Sequence, residues 1–287
     1  MRDDFCILIL SHGRPDRINT LVSLRASGYT GKLYIVVDNE DETRDAYLER
    51  FGDQVIVFDK AEQAKTTDAG DNFPRRDSVV YARNASFEIA KSVGCKYFMQ
   101  LDDDYVHFAY KFNKRVEFGD WRIYSLDEVL EAMVEYYESI PAHTLTMAQT
   151  GDFIGGGEGT FGSAIVLKRK AMNTFLCSTE RPFKFVGRMN DDVNTYTIGG
   201  LRGDLLLTYG WLCIQQHTTQ TNAGGLTQMY LDFGTYVKSF YTVMYAPSCT
   251  TVSTMGQTDR RLHHRISWNN ACPKLLNEKH RNRQAGS

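Results

Sequence analysis

The chain has 287 residues, a formal net charge of -2 at pH 7 and 42% hydrophobic residues. That length and apolar fraction support one large packed domain or two small ones and exclude a disordered chain. With a pI near 6.4 there is no global basic field, so a polyanionic partner has to meet a local patch.

No apolar run approaches the roughly 20 residues of a membrane span. The start, MRDDFCILILSHGRPD, is too acidic and short for a signal peptide. A cytoplasmic protein without a membrane partner is expected, in the host cytoplasm if viral. Six cysteines occur without a C-x-x-C pair or regular spacing. Cys6, Cys95, Cys177 and Cys213 sit in apolar segments and read as small core residues in a reducing compartment, not as zinc ligands.

The first hundred residues alternate β-rich and helix-periodic runs, the pattern of βαβ units and a mainly parallel sheet. Strands are predicted over residues 5–11, 33–38, 54–59 and 97–102, with helices near 15–26, 43–51 and 77–93. Three of these strands end in polar residues, Ser11, Asp38 and Asp102, at the sheet edge where open α/β folds bind ligands. The last strand, in KYFMQLDDDY, runs into Asp102, Asp103 and Asp104. On an extended backbone residues i and i+2 point the same way, so Asp102 and Asp104 can converge on one hard cation, Mg²⁺ or Mn²⁺, while Asp103 faces elsewhere. The same triplet also reads as a plain acidic turn.

Past Tyr105, Ser125 and Glu128 have the spacing of a capping box before LDEVLEAMVEYYESI, which predicts a helix. Six glycines between 151 and 162 precede a β-rich run at 164–167; they read as a flexible loop or as a close backbone approach to a ligand. No P-loop ending follows them. Residues 226–245 are aromatic-heavy and read as a core helix. From residue 258 onward, seven Lys or Arg and three His face two acids, either a solvated basic C-terminus or a surface for a polyanion.

In order, the motifs ILILSHGRPDR, the Asp38 strand end, ARNASFEIAKSVGCKYFMQLDDD and GRMNDDVNTY, with QQHTTQ later, resemble the GT-A nucleotide-sugar glycosyltransferases. The resemblance covers roughly residues 5–220. It implies an α/β fold of GT-A type: a Rossmann-like, mainly parallel sheet with helices on both faces and an acceptor-side subregion. Residues 1–105 would form the donor-binding half, 106–250 the acceptor and catalytic half of the same domain, and 251–287 a basic C-terminal tail.

The same resemblance implies roles. Ser11, His12 and Arg14 would lie against the base and ribose of a nucleotide sugar, a UDP-sugar, and Asp38 would accept a hydrogen bond from the base. Arg83 would orient the acidic triplet or the diphosphate. Asp102 and Asp103 would contact the donor, and Asp102, Asp104 and His217 would hold Mn²⁺ or Mg²⁺ on the diphosphate. His217 follows the apolar run at 211–214; a lone His there is also an ordinary structural residue. Asp191 and Asp192 stand where the family places the base that deprotonates the acceptor hydroxyl, and two acids at a helix start are also ordinary capping. An inverting transfer needs that base; a retaining one does not.

Within GT-A proteins, the SHGRP loop, the RNASFEIAK helix and the MNDDVNTY segment look most like the TET-associated glycosyltransferase group, whose phage members glycosylate 5-hydroxymethylpyrimidines in DNA. This implies a hexosyl- or pentosyltransferase acting on hydroxymethylcytosine in double-stranded DNA. Phosphate contacts would come from Arg260, Arg261, Arg265, Lys274, Lys279, Arg281 and Arg283 or from Lys168, Arg169 and Lys170. Trp268 or Tyr105 would support the duplex or a flipped base, or simply pack. The rivals are a GT-A enzyme for glycan or protein acceptors, a two-metal nuclease and a non-catalytic binding module.

Overall fold

The computed structural model describes residues 1–153, 156–216, 227–256 and 260–281, with side chains between 227 and 256 described from residue 236 onward. In chain order the strands are β1 (Phe5–Leu10), β2 (Lys32–Asp38), β3 (Val55–Phe58), β4 (Tyr97–Asp102), β5 (Tyr105–Phe112), β6 (Phe118–Arg122), β7 (Thr144–Gln149), β8 (Ile165–Val166), β9 (Phe175–Ser178), β10 (Leu206–Gln216), β11 (Thr250–Met255) and β12 (Arg261–Ile266). The helices are α1 (Asn19–Ala26), α2 (Arg44–Phe51), α3 (Lys60–Ala64), α4 (Val80–Ser92), α5 (Leu126–Ser139), α6 (Asp191–Leu201), α7 (Thr227–Tyr245) and α8 (Trp268–Ala271).

Ten strands form one sheet in the order β3-β2-β1-β4-β9-β7-β10-β5-β6, with β8 on β10. β3, β2, β1 and β4 run parallel, as does β10 beside β7; β9, β5, β6 and β8 pair antiparallel. The expected α/β class and mainly parallel order are what the structure shows.

β1 explains why the sheet is covered twice. All six of its residues are buried, and they alternate between two cores. Phe5, Ile7 and Ile9 join Leu21 and Leu24 of α1, Tyr47 of α2 and Leu130 and Met133 of α5. Cys6, Leu8 and Leu10 join Ala85 and Ile89 of α4 and Tyr196 of α6 on the opposite face. A strand apolar on both faces can only sit between two helical layers. All six cysteines are buried and unpaired. Among the described residues no helix is long and apolar enough to cross a membrane.

Several expectations are corrected. The helix predicted from 15 begins at Asn19, because the stretch before it turns back on itself: Arg17 N donates to Arg14 O at 3.0 Å. Ser125 makes no side-chain cap. The entry to α5 is fixed instead by Leu126 N donating to Ser27 O at 2.8 Å and by Asp127, which accepts from Thr30 N at 3.0 Å and Thr30 Oγ1 at 2.5 Å. Of the described glycines in the glycine-rich stretch, Gly156 and Gly157 lie against Phe118, with Phe112 beside Gly157, and none lines the main cleft. A Cβ on Gly162 would stand 2.0 Å from Gly157 O. The helix at the aromatic-heavy segment is not wholly core: Ser239, Tyr241 and Thr242 are buried, while Tyr236, Phe240 and Met244 are exposed.

Residues 250–256 and 260–281 fold back onto the main body. β11 and β12 form an antiparallel hairpin that packs on α7, and α8 packs on α6 through Tyr196 and Trp268, whose rings meet edge-on at 5.8 Å. That second contact is so close that Gly200 on α6 has no room for a side chain; its Cβ would stand 1.8 Å from Ala271 O. Gly200→Ala is expected to cost roughly 1–3 kcal/mol by overpacking, read as a lowered Tm. An unchanged Tm would show that α8 is not held against α6.

Candidate active site

The strand ends at the carboxyl edge of β1, β2 and β4 open into one cleft of about 1450 Å³, lined by ten Asp or Glu and eight Lys or Arg. Leu10 stands opposite both Val36 and Asp102 in the ladder, so the residues that follow β1, β2 and β4 share one rim.

β4 stops at Asp102, and Asp103 and Asp104 turn the chain into β5. Strand alternation therefore no longer applies after Asp102. Asp103 is 3% exposed; its Oδ2 accepts from Ser11 Oγ at 2.6 Å and its Oδ1 pairs with Arg14 Nη1 at 3.2 Å. Asp103 thus clips the loop after β1 to the acidic turn, and both its oxygens are already bonded. Asp104 accepts from Gln216 Nε2 at 3.0 Å, and Gln216 Oε1 in turn accepts from Gln149 Nε2 at 2.8 Å and Asn173 Nδ2 at 3.0 Å. His217, the expected third metal ligand, lies outside the described residues.

Asp102 Oδ1 accepts from Arg83 Nη2 at 3.2 Å. Burial pushes its carboxyl up to about 7; Arg83 opposes this, and Asp104, Asp103 and Asp191 add to it. Its negative charge is under-compensated, and Asp104 adjoins it with further hard oxygens. This donor set suits a hard divalent cation.

Arg83 comes from the middle of α4 and is 3% exposed. Its guanidinium lies 4.9 Å from the Phe175 ring and 5.7 Å from the Phe185 ring. Besides Asp102 it meets Asp191, with Nε 2.8 Å from Asp191 Oδ2. Burial opposes its charge, but Asp102 and Asp191 prevail and raise its pKa further. The neighbouring Asn84 clamps Phe185 through two bonds, Nδ2 to Phe185 O at 3.0 Å and Phe185 N to Oδ1 at 2.8 Å. The A-R-N sequence therefore ties α4 to the segment that leads into α6.

Asp191 and Asp192 occupy the first turn of α6, and their environments differ. Asp191 is buried against Arg83, and burial raises its pKa. Asp192 accepts from Lys170 Nζ at 2.5 Å; burial works against its charge, but Lys170 outweighs it and holds the carboxylate ionised. Before them, Gly187 has φ +88° and leaves no room for a Cβ, which would stand 2.2 Å from Asn194 Nδ2. Arg188 is fully buried and bonded to Asp71 at 2.9 Å. The first residues of GRMNDDVNTY are structural.

The expected base-binding wall is a set of internal bonds. His12 Nδ1 lies 2.8 Å from Asp38 Oδ2, which also accepts from Lys60 Nζ at 3.0 Å; Asp38 Oδ1 accepts from Glu40 N at 3.1 Å. Asp38 is 4% exposed and has little left to offer a nucleobase. Its bond raises the His12 imidazole above its ordinary range. Sequence reasoning missed Lys60, Asp41 and Tyr47. Asp41 Oδ2 accepts from Gly13 N at 2.7 Å, and Tyr47 OH accepts from Arg14 N at 2.8 Å and meets Ser11 Oγ at 2.7 Å. The D-x-x-D spacing of Asp38 and Asp41 was a usable signal. Nothing local marks Tyr47.

The lining also holds the cations Arg169, Lys170, Lys238 and Arg265, beside His263 and His264, whose imidazoles burial pushes below their ordinary range. Trp268 stands in this lining under the Arg169 guanidinium at 5.2 Å. Tyr105, the other stacking candidate, is fully buried and donates to Asn173 O at 2.5 Å, so it packs and cannot stack. Of the remaining tail cations, Lys279 pairs with Asp204 at 2.8 Å and Arg281 with Glu278 at 2.7 Å; Arg283 lies outside the described residues.

Comparison with known proteins bears on what this cleft does. In structure the chain is similar, at 10% identity and a TM-score of 0.46, to glucosyl-3-phosphoglycerate synthase from Mycobacterium tuberculosis in complex with Mn²⁺, UDP and phosphoglyceric acid, over 92% of this chain and 87% of that one. It is similar at 10% identity and a TM-score of 0.46 to S. aureus TarS 1-349 in complex with UDP-GlcNAc, over 84% of this chain and 66% of that one. Likenesses this distant say nothing of donor or acceptor. No curated protein matches the sequence. The family model for the TET-associated glycosyltransferases matches residues 5–225, and the chain belongs to that family of glycosyltransferases.

Proposed function

We propose that the chain transfers a hexosyl or pentosyl group from a UDP-sugar to the 5-hydroxymethyl group of modified cytosine in double-stranded DNA, with Mn²⁺ or Mg²⁺ held by Asp102 and Asp104. One observation carries the reading: a single buried guanidinium, Arg83, joins the acidic turn at Asp102 to the acid pair that opens α6. Donor anchor and acceptor base would then stand in one cleft. Its volume of about 1450 Å³ exceeds the roughly 300–1,000 Å³ of a single-ligand pocket and leaves room for two substrates.

The nucleotide would lie along Ser11–Arg14, over the floor that Asp38, Asp41 and Tyr47 hold rigid. The cation would neutralise charge on the diphosphate leaving group as the sugar–phosphate bond breaks. In an inverting transfer Asp192 is the base: Lys170 keeps it ionised, whereas Asp191 is engaged by Arg83. The acceptor hydroxyl gives its proton to Asp192 as its oxygen bonds to the anomeric carbon.

The acceptor reading rests on the family and on the cations of the lining. Arg169, Arg265 and Trp268 line the same cleft as the acidic turn, where a phosphodiester backbone and a flipped base would meet cations and an aromatic edge.

Hydroxymethylated duplex DNA incubated with the enzyme, Mn²⁺ and a panel of UDP-sugars is expected to yield nucleosides heavier by one sugar on mass spectrometry. Transfer to simple glycans with no gain from DNA would replace the DNA acceptor by a glycan one. In calorimetry, Asp104→Ala is expected to remove the Mn²⁺ dependence of UDP binding, and an unchanged dependence would move the cation elsewhere.

Asp192→Asn is expected to lower kcat by roughly 10²–10⁴-fold with little change in KM for the donor. Equal kcat in the variant and the parent would leave Asp192 a capping residue and point to a retaining reaction.

A further inference from the structure

At the sheet edge opposite the cleft, three ligand-type side chains converge. His143 immediately precedes β7, Asp204 lies two residues before β10, and His280 ends the short turn Glu278–His280 near the C-terminus. Because β7 and β10 are parallel neighbours, their starts lie side by side, and His143 N donates to Leu205 O at 2.9 Å. The C-terminal segment lies over them, with Asn277 N donating to Gly203 O at 3.0 Å.

The ligand atoms of His143, Asp204 and His280 all lie within 4.8 Å of one another. His143 Nε2 is 3.8 Å and His280 Nε2 3.4 Å from Asp204 Oδ1. Both imidazoles are buried, at 6% and 4% exposure. Each points its other nitrogen at a backbone carbonyl: His143 Nδ1 at Arg181 O, 3.3 Å away, and His280 Nδ1 at Pro141 O. A ring nitrogen facing a carbonyl carries the proton, so in the neutral ring Nε2 is a bare lone pair. His143 Nε2 has no hydrogen-bond partner.

His280 Nε2 lies within hydrogen-bond distance of Asp204 Oδ1; with both rings neutral, two lone pairs and a carboxylate face one another, a donor set for a cation. Histidines whose Nδ1 is anchored by a carbonyl and whose Nε2 atoms converge are how proteins hold first-row metals. Tetrahedral ligands at about 2.0–2.1 Å from zinc stand roughly 3.3 Å apart, close to the 3.4 Å and 3.8 Å found here. Lys279 Nζ now sits 2.8 Å from Asp204 Oδ1, but its side chain is 48% exposed and can swing into solvent. None of the three residues lines the catalytic cleft.

We propose that His143, Asp204 and His280 bind Zn²⁺, with water as fourth ligand, in a structural site that clasps the C-terminal segment to the amino edge of the sheet. The full chain, stripped with chelator and titrated with ZnCl₂ in excess Mg²⁺, is expected to bind about one equivalent and to gain at least about 3 °C in Tm. Co²⁺ in its place should give the intense visible absorption of a four-coordinate ion, a readout on the unaltered protein. His280→Gln should abolish both signals, and Asp104→Ala should leave both intact. A parent chain that takes up no zinc, or zinc binding that survives His280→Gln, would overturn the site.

Discussion

A buried guanidinium is tolerated only where carboxylates and aromatic faces replace the water it has lost, and Arg83 has both. Phe175 and Phe185 flank it, and Asp102 and Asp191 take its charge. Neither acid is near Arg83 in sequence. The end of β4 and the start of α6 are held in register because both need the same cation. Take the guanidinium away and two carboxylates face each other in a buried space, each raising the pKa of the other. The relative placement of the acidic turn and the acid pair is therefore set by one side chain from a third element.

The cleft is lined in two ways. Around the loop after β1 the bonds form separate groups: Ser11, Arg14, Tyr47 and Asp103 bond one another, Lys60 donates to Asp38, and Gly13 N donates to Asp41. These bonds hold the loop in one shape, although the buried Arg14 Nε has no hydrogen-bond partner. The rest of the lining comes from the loop before β9, from α7 and from the β11–β12 hairpin, and includes Arg169 and Arg265. Long cationic side chains of this kind suit an extended anionic ligand.

The parallel strands and their shared polar edge were legible in the sequence for a physical reason. Apolar runs of four to seven residues ending in Ser11, Asp38 and Asp102 can only be buried strands delivering polar groups to one edge, and the A-R-N helix read as preceding the triplet does hold it. What could not be read lies in contacts across long sequence separations. Asp103 was assigned to the donor, yet it is spent on Ser11, 92 positions away. Tyr47 and Lys60 carry no local mark because their partners come from other strand ends. The Ser125 capping box fits by spacing alone, and a tertiary bond to Ser27 displaced it. The basic composition after residue 258 announced a charged surface, but not that a hairpin would carry part of it back to the cleft.

One backbone choice shows how the two parts of the lining are joined. Asn190, the residue before the acid pair, has φ 56° and ψ 36°, a left-handed conformation that costs a non-glycine residue of order 1–3 kcal/mol and that Asn tolerates better than most. It is held there by its side chain: Nδ2 donates to Lys238 O at 2.8 Å and to Thr242 Oγ1 at 3.3 Å on α7, and His264 Nδ1 of β12 lies 3.4 Å away. The turn that aims Asp191 at Arg83 and Asp192 at Lys170 is thus fixed by α7 and β12 on one side, while Arg83 of α4 fixes it on the other. The acid pair is the point where both constraints meet. A displacement of α7 or of the hairpin would reach Asp192 through Asn190 before it reached the loop after β1.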